Sequence, residues 1–271
     1  MTPKVSVLMP AYNAEKYIWE AIQSILDHQT YSDFEFIIID DCSTDNTWDI
    51  IQNYADKDDR ILAIKNEKNL KICKTLNKGI MIAQGEYIAR MDADDISMSD
   101  RFEKQVKFLD EHDDIGIVGG TMDIMDEQGK VYSKRQYNLT DKEIRKHIFR
   151  YSPFCHPAVM IRKTTLEKAG YYNEYGIYSE DYDLYFRIWM YSKFANLSDT
   201  IIKYRILSTG MTGSKMRYME ECTQYIKLKA IFEYGYKMSL YDKIYSLVQY
   251  ISSFIVTGKF RVRLFNFIRN S

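Results

Sequence analysis

A chain of 271 residues, 46% hydrophobic and 28% charged, is long enough for one large domain with an appendage and too apolar to remain disordered. Its net charge is −1, and no nucleic-acid partner is expected. Four scattered cysteines, Cys42, Cys73, Cys155 and Cys222, form no CxxC pair and no zinc spacing, which argues against a disulfide framework and reads as free thiols in a reducing compartment.

In chain order, residues 4–9 (KVSVLM) predict a mostly apolar strand, which Pro10-Ala11-Tyr12-Asn13 breaks before a helix to about residue 27. Residues 34–39 predict a second strand, closed by Asp40-Asp41-Cys42-Ser43-Thr44-Asp45, with a helix to about residue 54. A third strand is expected at 60–65 and a helix at 73–83; Gly85 then opens a strand that ends at Met91. A helix at 99–111 follows, then a strand at 115–119 and a strand, turn and return strand over 121–132, turning at Gln128-Gly129. Beyond these the pattern predicts a helix at 141–149, a strand at 156–162, a short helix at 163–169 ending at Gly170, and a helix from Ser179 to about 191. The last strand is expected at 201–206, and only helices from 214 onward. Apolar strands alternating with helices define an α/β fold with a mostly parallel sheet covered on both faces. No linker rich in Pro or Gly divides the chain, so one domain over residues 1–210 with a helical extension over 211–271 is expected.

In such sheets ligands bind beyond the carboxyl ends of the strands. Three polar clusters lie there: Tyr12-Asn13, Asp40-Asp41 and Asp92-Ala93-Asp94-Asp95. Each alone reads equally as a turn and helix cap; three at one rim point to a ligand site. The three neighbouring carboxylates repel one another, and Mg²⁺ or Mn²⁺, hard cations that take oxygen ligands, would offset that repulsion. Neither GxGxxG after the first strand nor GxxxxGK(S/T) occurs, so a phosphate here would be bridged by metal rather than cradled by glycines.

Together, Val5-Ser6-Val7-Leu8-Met9-Pro10-Ala11-Tyr12-Asn13, the run Asp40 to Asp45, Asn69 with Leu76-Asn77-Lys78-Gly79-Ile80, the run Gly85 to Asp95 and Glu180-Asp181 resemble the family 2 glycosyltransferases, inverting enzymes of the GT-A fold, over about residues 4–205. The resemblance implies a GT-A-type, Rossmann-like sheet. It also implies transfer of a hexosyl or N-acetylhexosaminyl group from a nucleotide-diphosphate donor, expected to be a UDP-sugar, to a hydroxyl of a glycan or lipid-linked glycan, as in bacterial enzymes of surface-polysaccharide synthesis. It puts Pro10, Tyr12 and Asn13 in the nucleotide pocket, Asp41 at the uracil ring, and Arg90 and Asp92 near the uridine, with Asp92 at the ribose. Asp94 would hold the Mn²⁺ or Mg²⁺ that bridges the diphosphate, Asp181 would be the catalytic base, and Glu180 would lie beside it. His156 reads as a contact to the acceptor or the donor phosphate, as a metal ligand, or as a histidine satisfied in the core. Lys71 stands where many members of the family have glycine, which leaves the loop conformation open; its side chain is either solvated or a cation near the donor.

If a regular helix starts near Ser179, Leu184 and Ile188 mark its buried face; Glu180 and Asp181 lean toward it and Asp183 turns away. Two other classes stay open. A sugar nucleotidyltransferase would carry a glycine- and arginine-rich loop after the first strand, and Pro10-Ala11-Tyr12-Asn13 is not one. A non-catalytic nucleotide-sugar-binding module would have no use for Asp92, Asp94 and Asp181 together.

From Lys203 to Ser271, twelve lysines and arginines face four acidic residues, a net +8, while the preceding residues carry −9. Interleaved with Tyr, Phe, Ile and Leu, this tail is expected to meet an anionic membrane surface, with packing on the catalytic domain or a homodimer as the alternatives. Its longest uncharged run, residues 244–258, spans 15 residues, short of the roughly 20 that a spanning helix needs. The first strand begins with no signal peptide before it, so a cytoplasmic protein, peripheral on the inner face of the membrane, is expected.

Overall fold

The computed structural model describes residues 2–174, 178–207 and 213–255. The first half alternates as expected: β1 (Val5–Ala11), α1 (Ile18–Leu26), β2 (Phe34–Asp40), α2 (Thr47–Ala55), β3 (Ile61–Lys65), α3 (Lys71–Ile82) and β4 (Tyr87–Arg90). These four strands pair in parallel in the order β3-β2-β1-β4. Side chains alternate across this sheet, yet nearly all are apolar because helices cover both faces. Val5, Val7, Met9, Phe36 and Ile38 join the core that includes Ile18, Ile22 and Phe102, whereas Leu8, Ile37, Ile39 and Ile88 join the one that includes Leu76, Ile80 and Leu184.

The second half comprises β5 (Ile96–Ser97), α4 (Arg101–Glu111), β6 (Ile115–Met125), β7 (Val131–Arg135), α5 (Asp141–His147), β8 (Met160–Arg162), α6 (Lys163–Ala169), α7 (Glu180–Trp189) and β9 (Lys193–Arg205). The sheet continues β4-β8-β6-β9-β5, with β7 also on β6. β8 runs antiparallel to both β4 and β6, while β6 and β9 are parallel, so the sheet is mixed in this half.

Several boundaries differ from the sequence pattern for physical reasons. β1 continues through Pro10 because its pairing with β4 stops at Leu8, leaving the proline on an unpaired edge. β6 is one strand rather than two. Gly119 does not end it but admits close packing: a Cβ there would run into Asn196 and Phe154. Residues 156–162 are strand only from Met160; His156–Ala158 form a 3-10 turn, whose Pro157 has no N–H for a ladder. β9 starts at Lys193, eight residues earlier than expected. Its polar residues hid it, and Asn196 is buried there, donating to Asn138 O and Pro153 O. The two-residue β5 carried no pattern.

The extension forms α8 (Gly213–Phe232) and α9 (Leu240–Ile255). One side of it packs on the domain. Lys229 reaches Asp183 of α7 at 3.2 Å, Arg150 pairs with Asp242 of α9 at 2.6 Å, and Tyr236 stacks on Trp189 at 4.0 Å. No helix among the described residues is long and apolar enough to cross a membrane.

Gly79 sets the distance between α3 and the sheet, since a Cβ there would run into Leu8 and approach Ile39 at 3.2 Å. Overpacking of this kind costs about 1–3 kcal/mol. Gly79→Val is therefore expected to lower stability by that amount, read as a lower urea midpoint at unchanged slope.

Candidate active site

The carboxyl ends of β1, β2 and β4 open into a cleft of about 560 Å³ walled by Pro10, Tyr12, Asn13, Asp41, Asp92 and Asp94. Tyr12 is half exposed, which leaves an aromatic face free for stacking. Asn13 takes a left-handed conformation (φ 49°) and ties the β1 end to the β2 end: its N–H donates to Ser43 Oγ, and its Oδ1 accepts from Thr44 N at 2.9 Å.

Asp41 is buried and organises the floor. Its Oδ1 accepts from Asn66 Nδ2 and Leu70 N, both at 2.8 Å, and its Oδ2 accepts from Lys71 N at 2.9 Å. A carboxylate offers about four lone-pair sites, so Oδ2 keeps room for an N–H of a ligand. Lys71 adopts φ 69°, the left-handed conformation that glycine takes without strain, at a cost of about 1–2 kcal/mol for a residue with a Cβ. The loop thus keeps its shape despite the lysine, and Lys71 lines the cleft.

At the end of β4, Asp92, Asp94 and Asp95 each bring a carboxylate oxygen within 4.8 Å of the others. Burial, then the charge of Asp92, raises the Asp94 carboxyl to about 6, and the same causes raise Asp95 well above the carboxylate range. Asp95 Oδ1 accepts from Arg205 N at 2.8 Å, while its buried Oδ2 has no hydrogen-bond partner. Three converging carboxylates, two of them reluctant to ionise and one oxygen left over, fit a hard divalent cation. Asp95 was the member that the family pattern did not assign, although it stands in the same run. Arg205, which secures Asp95 and also donates to Asp94 O, comes from β9 and had no signal in the sequence.

Arg90 does not line this cleft. It is buried beneath it, 2.6 Å from Asp92 Oδ2. Burial opposes its charge, but the adjacent Asp92 carboxylate outweighs that and holds it protonated.

A second cavity, of about 470 Å³, contains Asp181 and His156 in its wall. Asp181 and Glu180 open α7, where the helix N-terminus favours negative charge. Burial raises both carboxyls; Glu180 reaches about 7 through burial and the charge of Asp181, and Arg90 pulls both back toward ionisation. Ser152 hydrogen-bonds Asp181. His156 stands outside the carboxylate cluster: its Nε2 is 2.8 Å from Tyr172 Oη, and burial followed by Arg90 holds it neutral, well below the usual histidine range. Asp183 turns away from the cavity, but into the protein, where Arg187 (2.9 Å) and Lys229 (3.2 Å) pair with it.

The family model for Glycosyl transferase family 2 matches residues 6–170. An uncharacterized glycosyltransferase of Methanocaldococcus jannaschii is 40% identical over 75% of this chain and 71% of the relative. The O-antigen biosynthesis glycosyltransferase WbnJ of Escherichia coli is 33% identical over 82% of this chain and 86% of its own. Among solved structures, S. aureus TarS 1–349 in complex with UDP-GlcNAc superposes with a TM-score of 0.68 at 22% identity, covering 92% of this chain and 72% of that one. The chain belongs to glycosyl transferase family 2 and has the GT-A type of fold.

The carboxyls at the start of α7 titrate as a pair. An acid whose pKa is raised stays protonated to higher pH, so any activity that needs this pair ionised is lost as pH falls below about 7, to which burial and the charge of Asp181 push Glu180 up. Glu180→Gln removes the neighbouring negative charge, and the acid limb of the kcat profile is expected to move to lower pH. An unmoved limb would separate Glu180 from the titration.

Proposed function

We propose that the protein transfers a sugar, with inversion, from a UDP-sugar to a hydroxyl of a glycan or lipid-linked glycan, and that Asp181 is the general base. One observation carries this reading: a cleft walled by converging carboxylates and a second cavity walled by Asp181 have their acids acted on by the charge of one buried arginine, Arg90. Pro10, Tyr12 and Asn13 would hold the nucleoside, with Asp41 Oδ2 accepting the imide N–H of uracil and Asp92 at the ribose. Asp94, with Asp95 and the far side of Asp92, would hold Mn²⁺ or Mg²⁺, which when bound supplies charge to stabilise the leaving diphosphate. Asp181 would take the proton of the acceptor hydroxyl, and Glu180 would lie beside it, facing the acceptor or donor sugar.

Of the two carboxylates that open α7, only Asp181 lines the second cavity among the described residues, which favours it as the base. A general base contributes about 10²- to 10⁴-fold. Asp181→Asn is expected to lower kcat by that factor with UDP–Mn²⁺ affinity nearly intact, and Asp94→Ala to abolish Mn²⁺-dependent transfer while the fold survives. Calorimetry with UDP and Mn²⁺ beside a transfer assay checks both. Full activity in EDTA would remove the metal, and wild-type turnover by Asp181→Asn would remove the base.

The extension supports a peripheral membrane contact on the cytoplasmic side. Along α9, Leu240, Ile244, Leu247, Val248, Ile251 and Phe254 recur at helical spacing and are each 46–74% exposed. Such a face is unusual on a soluble monomer, and residues 211–271, with ten lysines and arginines against four acidic residues, carry a net +6 that complements an anionic leaflet. The protein is expected to float with anionic liposomes at low salt, and Leu247→Glu with Ile251→Glu to stay below. Failure of the wild type to float, with a dimer in sedimentation, would assign the face to a second copy instead.

A further inference from the structure

The two cavities have no lining residue in common. The cleft is built by the β1, β2 and β4 ends of the family domain, whereas the cavity at Asp181 is closed by the extension. Glu220 and Thr223 of α8 and Gln249 of α9 line it together with Asp181, His156 and Arg135. These helices are held firmly against that wall. Thr223 Oγ1 is 3.5 Å from Ser179 Oγ, the residue that caps α7 just before Glu180 and Asp181. Gln249 Nε2 donates to Arg150 O at 3.2 Å, and its Oε1 accepts from Lys227 Nζ at 3.1 Å, a lysine only 2% exposed. Arg150 in turn pairs with Asp242 at 2.6 Å.

We infer that α8 and α9 complete the acceptor subsite, and that the cavity between them and Asp181 receives the terminal sugar of the acceptor glycan rather than its lipid. This rests on the reading of Asp181 as the base. Four observations support it. The volume of about 470 Å³ lies within the range of small-ligand sites, about 300–1,000 Å³. The wall mixes hydroxyls (Ser152, Ser179, Thr223), a carboxylate (Glu220), a guanidinium (Arg135) and tyrosine rings, which is the chemistry that matches alternating hydroxyls and the apolar face of a pyranose. An acyl chain would offer no hydrogen bond to the hydroxyls of this wall, which disfavours it. The apolar side chains of α9 that suit a lipid are exposed. A lipid-linked acceptor could therefore keep its lipid in the bilayer while its sugar reaches Asp181. The extension then selects the acceptor and takes no part in holding the donor.

The test uses the full chain and separates the two substrates. Thr223→Trp fills the cavity, and Gln249→Ala removes a wall residue without adding volume. UDP–Mn²⁺ affinity is measured by calorimetry. Transfer is measured with whichever of UDP-GlcNAc, UDP-Glc or UDP-Gal the wild type turns over, to a panel of octyl glycosides. Both variants are expected to raise the acceptor KM at least 10-fold while UDP affinity stays within 2-fold. If Thr223→Trp does not fold, as read by circular dichroism, Gln249→Ala carries the test. An unchanged acceptor KM overturns the inference, and so does a parallel loss of UDP affinity, which would make α8 and α9 part of the donor side. A wild-type chain that binds no UDP and turns over none of these donors would instead overturn the proposed reaction, so the two failures are distinguishable.

Discussion

The arrangement depends on one buried cation. Arg90, at the end of β4, sets its guanidinium 2.6 Å from Asp92 and acts on the carboxyls at the start of α7 as well. Burial raises Asp94, Asp95, Glu180 and Asp181 toward neutrality, and in each case Arg90 acts in the opposite direction. Burial, helped by the same charge, keeps His156 unprotonated. Removing water from this many acids is unfavourable unless a countercharge is built in. The strand supplies it: with a period of two, β4 sends Tyr87 and Ala89 to one face and Ile88 and Arg90 to the other, toward Tyr172 and α7.

The sheet brings the two acidic groups to that arginine. Parallel strands β1, β2 and β4 end together, so their carboxyl-terminal residues share one rim. The short β8 then pairs with β4, and Arg90 N donates to Val159 O just before it. This pairing places the turn at His156–Ala158 beside Arg90. From the far side, β9 runs long enough for Arg205 to reach Asp94 and Asp95. A strained Lys71 is tolerated because both its N–H and that of Leu70 are held by Asp41. The extension is continuous with this design: it clamps α7 through Asp183 and Phe186 on one side and exposes an apolar stripe on the other.

The local pattern of the chain already determined much of this. Apolar runs between polar clusters placed β1, β2, β3, β4 and α6 to within a few residues, because a buried parallel strand must be apolar on both faces. Asp41, Asp92, Asp94 and Asp181 were legible because carboxylates crowded at strand and helix ends have few uses other than charge chemistry and capping. Long-range pairing decided the rest. Nothing local marks Lys193–Thr200 as strand: its polar residues are satisfied by partners distant in sequence, as Asn196 is by Asn138 and Pro153. Nothing local keeps Arg90 out of the wall of the cleft at the strand ends, since its environment comes from β8, Tyr172 and α7. The helical period turned Asp183 away from the face of Leu184 and Ile188, yet the structure buries it, because α8 covers that side as well and Lys229 pairs with it. Likewise, composition marked the tail as basic and apolar, while the fold alone made it the wall of a cavity, because that depends on which face of each helix finds the domain.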